Sequence, residues 1–356
     1  MGDSVANSRG TTNRGVLKTQ AQDDQESGGA VVSPSRRSQK GRRGTRYYLE
    51  AYGVLIIWAV IAIGFSVARP DTFATLTNLQ TILGTQAVLL VLTLGLLVPL
   101  TVGEYDLSVA SMMSLSSIVV AELSAVHHVN ALIASLAVLV LGVVVGLLNS
   151  FVVVKIGVSS FITTLGVGTL LGGLSYGISG SVTIGGLPNS LLTFAAHDIF
   201  GLPLAFYYGV VLCIIVWYVF QQTPMGRNLV FVGEGREVAR LTGLPVARIR
   251  TGALVASAVV ASFAGLLQAG AVGAADPGGG SSFLLPAFAA AFLGATTVRP
   301  GRFNAWGAFI AVYFLVTGIT GLELLGYTGW VQDVFYGTAL VLAVALGQIA
   351  SSRASS

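Results

Sequence analysis

The sequence predicts an all-α integral membrane protein of about ten transmembrane helices, with both termini cytoplasmic. Three observations carry that expectation. Hydrophobic residues make up 54% of the 356-residue chain and charged residues only 10%, against roughly 25% charged in a soluble domain. Mean hydropathy is +0.80. From about residue 50 onward, long apolar segments alternate with short turns, and the basic residues sit almost entirely in every second turn.

A span needs roughly 20 apolar residues. The candidates are about 51–67, 79–100, 108–125, 131–153, 158–178, 204–220, 251–271, 283–297, 304–322 and 331–349. The third and eighth are short or interrupted, and the second ends near Pro99 and Gly103, which disfavour continued helix. With the N-terminus inside, eighteen of the nineteen Lys and Arg residues fall on the inner face and only Arg69 falls outside. That is the bias that orients spans in a membrane. Removing one span would carry Arg299 and Arg302, or the whole basic loop near Arg240, to the opposite face. The pI of 9.3 therefore reads as basic inner loops and not as a nucleic-acid surface.

Residues 1–46 are rich in Ser, Gly, Gln and Arg and almost free of large apolar residues. Such a segment buries too little surface to offset its ordering entropy, so it is expected to be a disordered cytoplasmic tail, followed by one transmembrane domain over 47–350. Its basic run, Arg36 to Arg46, reads as a topology signal or as a contact for anionic lipid. The apolar run begins only near Ala51, too late for a secretory leader. Between 179 and 203 the outer face carries its one long connection. There Leu191, Leu192, Phe194 and Ile199 predict a short helix lying on the membrane surface.

The inner loop 221–250 holds Arg227, Arg236, Arg240, Arg248 and Arg250 against only Glu234 and Glu237. A flexible Gly233-Glu234-Gly235 run gives way to a helical pattern over Arg236–Leu244, closed by Gly243 and Pro245. A helix of about two turns in a basic loop between spans is suited to docking a cytoplasmic partner. No phosphate loop is present, because Leu17, Gln39 and Val154 precede the three lysines where that motif needs Gly. Energy from ATP must enter through another subunit.

Gly103-Glu104-Tyr105-Asp106-Leu107-Ser108 places two carboxylates near membrane depth, where each is costly and usually has a role. Asp106 or Ser108 either caps the next helix or takes part in the solute path or its gate. The in-span polar residues Gln86, Asn149, Thr163, Thr164 and Gln268 suit a polyhydroxylated solute, and equally suit hydrogen bonds between helices. Glycines 142, 146, 168, 172 and 177 permit close helix crossing. His127-His128 lacks the neighbours of a metal site, and Ser179 lacks a histidine base within a span. Neither catalysis nor a metal is expected.

Glu237-Val238-Ala239-Arg240-Leu241-Thr242-Gly243 matches a Glu-Ala-Ala-x-x-x-Gly pattern except at Val238. With Thr223-Pro224-Met225-Gly226-Arg227 before it and Leu244-Pro245-Val246 after it, the loop resembles that of the permease subunit of ribose- and xylose-type ABC sugar importers. Gly103 to Val109 resembles that family's Gly-x-x-Asp-Leu-Ser-Val segment, and Ser160 to Gly166 its Pro-x-Phe-Ile-x-Thr-Leu-Gly segment. The resemblance covers about 50–350. It departs before the eighth span, where Gly280 to Pro286 lacks the family's Gly-x-Glu-Leu carboxylate, which leaves the solute open.

The resemblance implies a multi-pass subunit of a bacterial-type plasma membrane that carries no cofactor of its own and is not itself an enzyme. It implies a second permease subunit, identical or not, two ATPase subunits holding ATP and Mg, and an external solute-binding protein. On that reading Arg236, Glu237, Ala239, Arg240 and Gly243 couple to the ATPase. Gln86, Asp106, Ser108, Asn149, Phe161, Thr163 and Thr164 are the candidates for the solute path. The alternative is an ion-coupled secondary transporter, against which stands the scarcity of ionisable groups within the spans.

Overall fold

The computed structural model describes residues 42–354 except Thr328, with side chains described from 52 to 345. The expected disordered tail lies outside these residues as far as position 41. The first helix, α1 (Arg42–Ala68), begins within the stretch assigned to the tail. There follow α2 (Leu76–Thr85), α3 (Ala87–Thr101), α4 (Val109–Ala121), α5 (Ala131–Ser150), α6 (Ser160–Ser179) and α7 (Asn189–Ala196). The second half holds α8 (Leu204–Gln222), α9 (Pro224–Glu234), α10 (Arg236–Leu241), α11 (Val246–Val272), α12 (Ser281–Gly294), α13 (Ala305–Leu324) and α14 (Trp330–Ala354). Short π-helical turns, Glu122–Val126 and Phe151–Ile156, lengthen α4 and α5.

The predicted apolar segments fall on helices, 79–100 on two of them, and the protein is an all-α membrane protein. Among the described residues six helices can cross a bilayer by length and composition: α4 and α5 with their π turns, α6, α8, α11 and α13. The bent pair α2–α3, kinked by 40°, makes a seventh if counted as one span. The apolar stretches Tyr52–Ala68, Ser281–Gly294 and Trp330–Ala345 are shorter. The predicted span 79–100 is therefore two helices broken at Gln86, which closes α2 and opens α3 without a side-chain cap.

The core forms around α3. Every residue of that helix except Val98 is buried, so it is apolar on all sides, as a helix enclosed by others must be. Around it pack α8, α11, α12 and α13. Pro99 sits inside the helix, which runs on to Thr101. The helix therefore ends two residues beyond Pro99 and before Gly103, where the span was expected to end, and the Pro99 carbonyl accepts the Val102 and Glu104 N–H groups.

Close approach of α5 to α11 depends on Gly142 and Gly146. A methyl group there would sit 2.4 Å from Ser262 Oγ and 2.5 Å from Val255 Cα. Gly172 and Gly177, expected to serve the same purpose, face open space. The helix expected on the outer membrane surface is α7, but it packs against protein. Leu191 is buried against α11-side residues, and Phe194 stacks on Tyr208 with ring centroids 5.0 Å apart. Leu191 and Phe194 thus pack against protein, while Ile199, assigned to the same helix, lies beyond α7 on a short strand and is exposed. Two antiparallel pairings tie this end together: β1 (Ile184–Gly185) with β4 (Ala274–Ala275), and the hairpin of β2 (Asp198–Ile199) with β3 (Leu202–Pro203).

Candidate functional site

At the opposite end lies the loop that the sequence singles out. Thr223 Oγ1 accepts the Gly226 N–H at 3.3 Å and Pro224 opens α9. The helix continues through Gly233 and Glu234, so the run expected to be flexible is the last turn of a helix. Gly233 has a packing purpose: a β-carbon there would lie 2.0 Å from the Thr101 carbonyl oxygen. Only glycine lets α9 rest on the end of α3.

The next helix, α10, ends at Leu241, three residues short of the expected Leu244. Gly243 takes the left-handed conformation, with φ of +84°. Its N–H donates to Arg240 O at 3.0 Å and the Leu244 N–H donates to Ala239 O at 3.2 Å, the paired bonds of a Schellman ending. Ala239 is fully buried and packs in a small cluster with Val102, Leu229, Val232 and Ala253. Val238 and Leu241 point outward, 57% and 77% exposed. Glu237 and Arg240 pair at 2.6 Å on the same outer surface. Thus α10 is fastened from below through Ala239 and Gly243 and presents an amphipathic upper face.

Sequence reasoning missed the residue beneath it. Glu104 is buried, its side chain 2% exposed, and its Oε1 receives two arginines: Arg236 Nη2 at 2.8 Å and Arg250 Nε at 2.5 Å. Arg236 Nη2 also donates to Gly103 O at 2.8 Å. One carboxylate oxygen therefore holds the first residue of α10 and the first turns of α11. The sequence signal was a second carboxylate in an apolar setting; its partners, far away along the chain, carry no local signature.

Two residues on, the same turn enters the bundle. Asp106 Oδ1 accepts the Ser108 N–H at 3.1 Å and the Ser108 hydroxyl at 2.5 Å. Ser108 Oγ accepts Asn149 Nδ2 from α5 at 2.9 Å. From α6, Thr164 Oγ1 accepts the Leu107 N–H at 2.9 Å, and Ser160 Oγ accepts the Tyr105 N–H at 3.1 Å. Asp106 makes a turn bond to Ser108 and no bond to the later N–H groups, so it shapes the entry to α4 without capping it in the usual way. Ser257 of α11 faces it. Burial raises the Asp106 carboxyl above the ordinary carboxylate range, opposed by the hydrogen bonds from Ser108. Asp106 Oδ2, Asn149 Oδ1 and Thr163 Oγ1 have no hydrogen-bond partner among the described residues. Buried polar atoms in that state are few in native proteins and call for an explanation.

The candidate path residues thus divide. Asp106, Ser108, Asn149 and Thr164 form one hydrogen-bonded hub, with Thr163 beside it. Phe161 is half-exposed and lines, with Tyr105, Leu107 and Phe288, an apolar cavity of about 580 Å³. Gln86 is elsewhere, at the far end of α3, where its Nε2 lies 3.4 Å from Thr85 Oγ1. At 1.5 Å per residue the fifteen residues of α3 separate it from the hub by about 22 Å.

Comparison with known proteins agrees with this architecture. The family model of the branched-chain amino acid transport system permease component matches residues 78–344. The D-allose transport system permease protein AlsC of Escherichia coli (strain K12) is 27% identical over 317 residues, 89% of this chain and 97% of that protein. The probable ABC transporter permease protein y4mJ of Sinorhizobium fredii is 31% identical over 301 residues, 84% of this chain and 88% of its own length. The ribose import permease protein RbsC of Escherichia coli (strain K12) is 29% identical over 310 residues, 85% and 96%. No solved structure matches. The chain belongs to the family of permease components of the branched-chain amino acid transport system type, multi-pass proteins of the inner membrane that work with ATPase and binding-protein partners.

Proposed function

We propose that this permease component carries a sugar or a similar small polar solute, delivered by an external binding protein and driven by ATP bound with Mg on partner ATPase subunits. The observation that carries the reading is α10. It is a short amphipathic helix pinned below by Ala239 and the Gly243 ending, with Val238, Leu241, Glu237 and Arg240 free to meet a partner. A sugar is favoured because the relatives named for a solute carry allose and ribose. The hub of Asp106, Ser108, Asn149 and Thr164, with Thr163 beside it, offers donors and acceptors suited to hydroxyl groups.

The chain would form one transmembrane domain over 47–350 with ten spans, the bent pair α2–α3 counting as one and α1, α12 and α14 completing the set. Both termini would then lie on the face of α10. The shared location of Glu104, Arg236 and Arg250 supports that alternation, since it brings the ends of the second and seventh spans to one side. Two permease subunits, alike or different, would pair with two ATPases. In this scheme Arg236, Glu237, Ala239, Arg240 and Gly243 couple to the ATPase, and closure of the ATPases shifts the pore between two states.

Purification from native membranes in mild detergent tests the reading. The expected result is co-recovery of an ATPase bearing a phosphate loop, lost on Glu237→Arg, together with ATP-dependent uptake of a pentose or hexose in proteoliposomes. Recovery of the chain alone with ion-driven uptake would overturn it.

A further inference from the structure

We propose that Glu104 is the positioning residue that transmits motion of α10 to the buried polar hub. The inference rests on the coupling role of α10 and adds the route by which that role reaches the bundle.

The geometry defines a short mechanical path. Arg236 is the first residue of α10, so any shift of that helix moves its guanidinium. That group grips Glu104 Oε1 and Gly103 O, both at 2.8 Å. Arg250, at the other end of the loop, grips the same carboxylate oxygen. The loop is therefore held at both flanks by one side chain that water barely reaches. Separating Glu104 from both arginines would leave a buried charge without compensation, which a bundle strongly resists. The carboxylate must follow the loop.

What Glu104 moves is a turn with little freedom of its own. Its N–H is bonded to Pro99 O at 2.9 Å, at the end of the most buried helix. Tyr105 and Leu107 N–H groups are held by Ser160 and Thr164 of α6. Asp106 and Ser108 reach Asn149 of α5. The turn thus links the arginines of α10 and α11 to side chains of α5 and α6; the Ser150 hydroxyl, which donates to Thr251 Oγ1 at 2.6 Å, joins α5 to α11 separately and does not reach α10. By contrast the Glu237–Arg240 pair joins α10 only to itself.

The test uses the full transporter reconstituted with its ATPase and binding protein, and reads solute taken up per ATP hydrolysed. ATP-driven uptake by the unaltered protein is the first measurement; its absence would overturn the coupling role of α10 and this route with it, whereas the variants below test the route by itself. Given that uptake, Glu104→Gln and Arg236→Gln are each expected to lower uptake per ATP about tenfold, within the usual range of site-to-site coupling of about 5- to 150-fold. The double variant should be no worse than either single one, because both break the same link. Arg236→Lys, which keeps a charge within reach, should recover much of the loss. Uptake per ATP that stays near the unaltered value in Glu104→Gln overturns the proposal. So does a double variant whose losses multiply, which would assign the two residues to separate tasks.

Discussion

Glu237 and Glu104 both face arginines of the same loop, and they differ in nearly every physical respect. Glu237 pairs with Arg240 three residues away, and both side chains are about 70% exposed. Such a pair is solvated and screened by salt, and it adds little to stability. Glu104 is 2% exposed and holds two arginines that lie more than a hundred residues along the chain. Burial makes that ion cluster costly to break, although it need not add net stability over an apolar packing. The difference teaches that the visible charges of a docking loop and the charges that fix the loop to its bundle are separate sets. On the proposed reading the first belongs to the partner surface; the second belongs to the fold.

Substitutions around the two carboxylates and the loop test this division. The largest effect should come from removing both partners of Glu104. Arg236→Ala with Arg250→Ala leaves a buried unpaired carboxylate and should cost about 3–5 kcal/mol. Adding Glu104→Gln to that background should restore most of the loss, which thermal unfolding in detergent would show. Glu104→Gln alone should cost less, because Arg236 and Arg250 keep 44% and 16% exposure and can reach water. The reverse order would mean that the cluster is not governed by desolvation.

Gly233→Val comes next. It drives a side chain into the Thr101 carbonyl and should cost about 1–3 kcal/mol by overpacking. Gly172→Ala, which meets nothing, should stay within about 0.5 kcal/mol of the unaltered protein. Gly243→Ala forces a β-carbon into the left-handed region at about 1–2 kcal/mol, and its readout is faster protease cleavage between Arg240 and Arg248. The smallest stability effect belongs to Arg240→Ala, expected to move the melting midpoint hardly at all while weakening capture of the ATPase. A marked fall in the midpoint would place Arg240 in the fold and not on the partner surface.

The apolar segments were legible in the sequence because a span announces itself locally, by some twenty residues of uniform character. The α10 helix was legible for the same reason, since its glycine ending and charge pattern lie within nine residues. Its neighbour α9 was not. Gly233 and Glu234 look flexible until the Thr101 carbonyl is placed against them, and the glycine then marks close packing. The α7 helix was read as lipid-facing because an apolar stripe has the same pattern whether lipid or protein covers it.

The sequence alone sets the helical membrane class, the apolar segments and the motif at Glu237–Gly243. Each of these is set by composition or spacing over a short stretch. Only the tertiary structure decided that Glu104 joins Arg236 and Arg250, that Asp106, Ser108, Asn149 and Thr164 form one hub, and that Gln86 stands apart from it. Those outcomes depend on which helix ends meet. In a bundle held by dispersion and small-residue packing, that is fixed by shape across the whole chain and leaves no local trace.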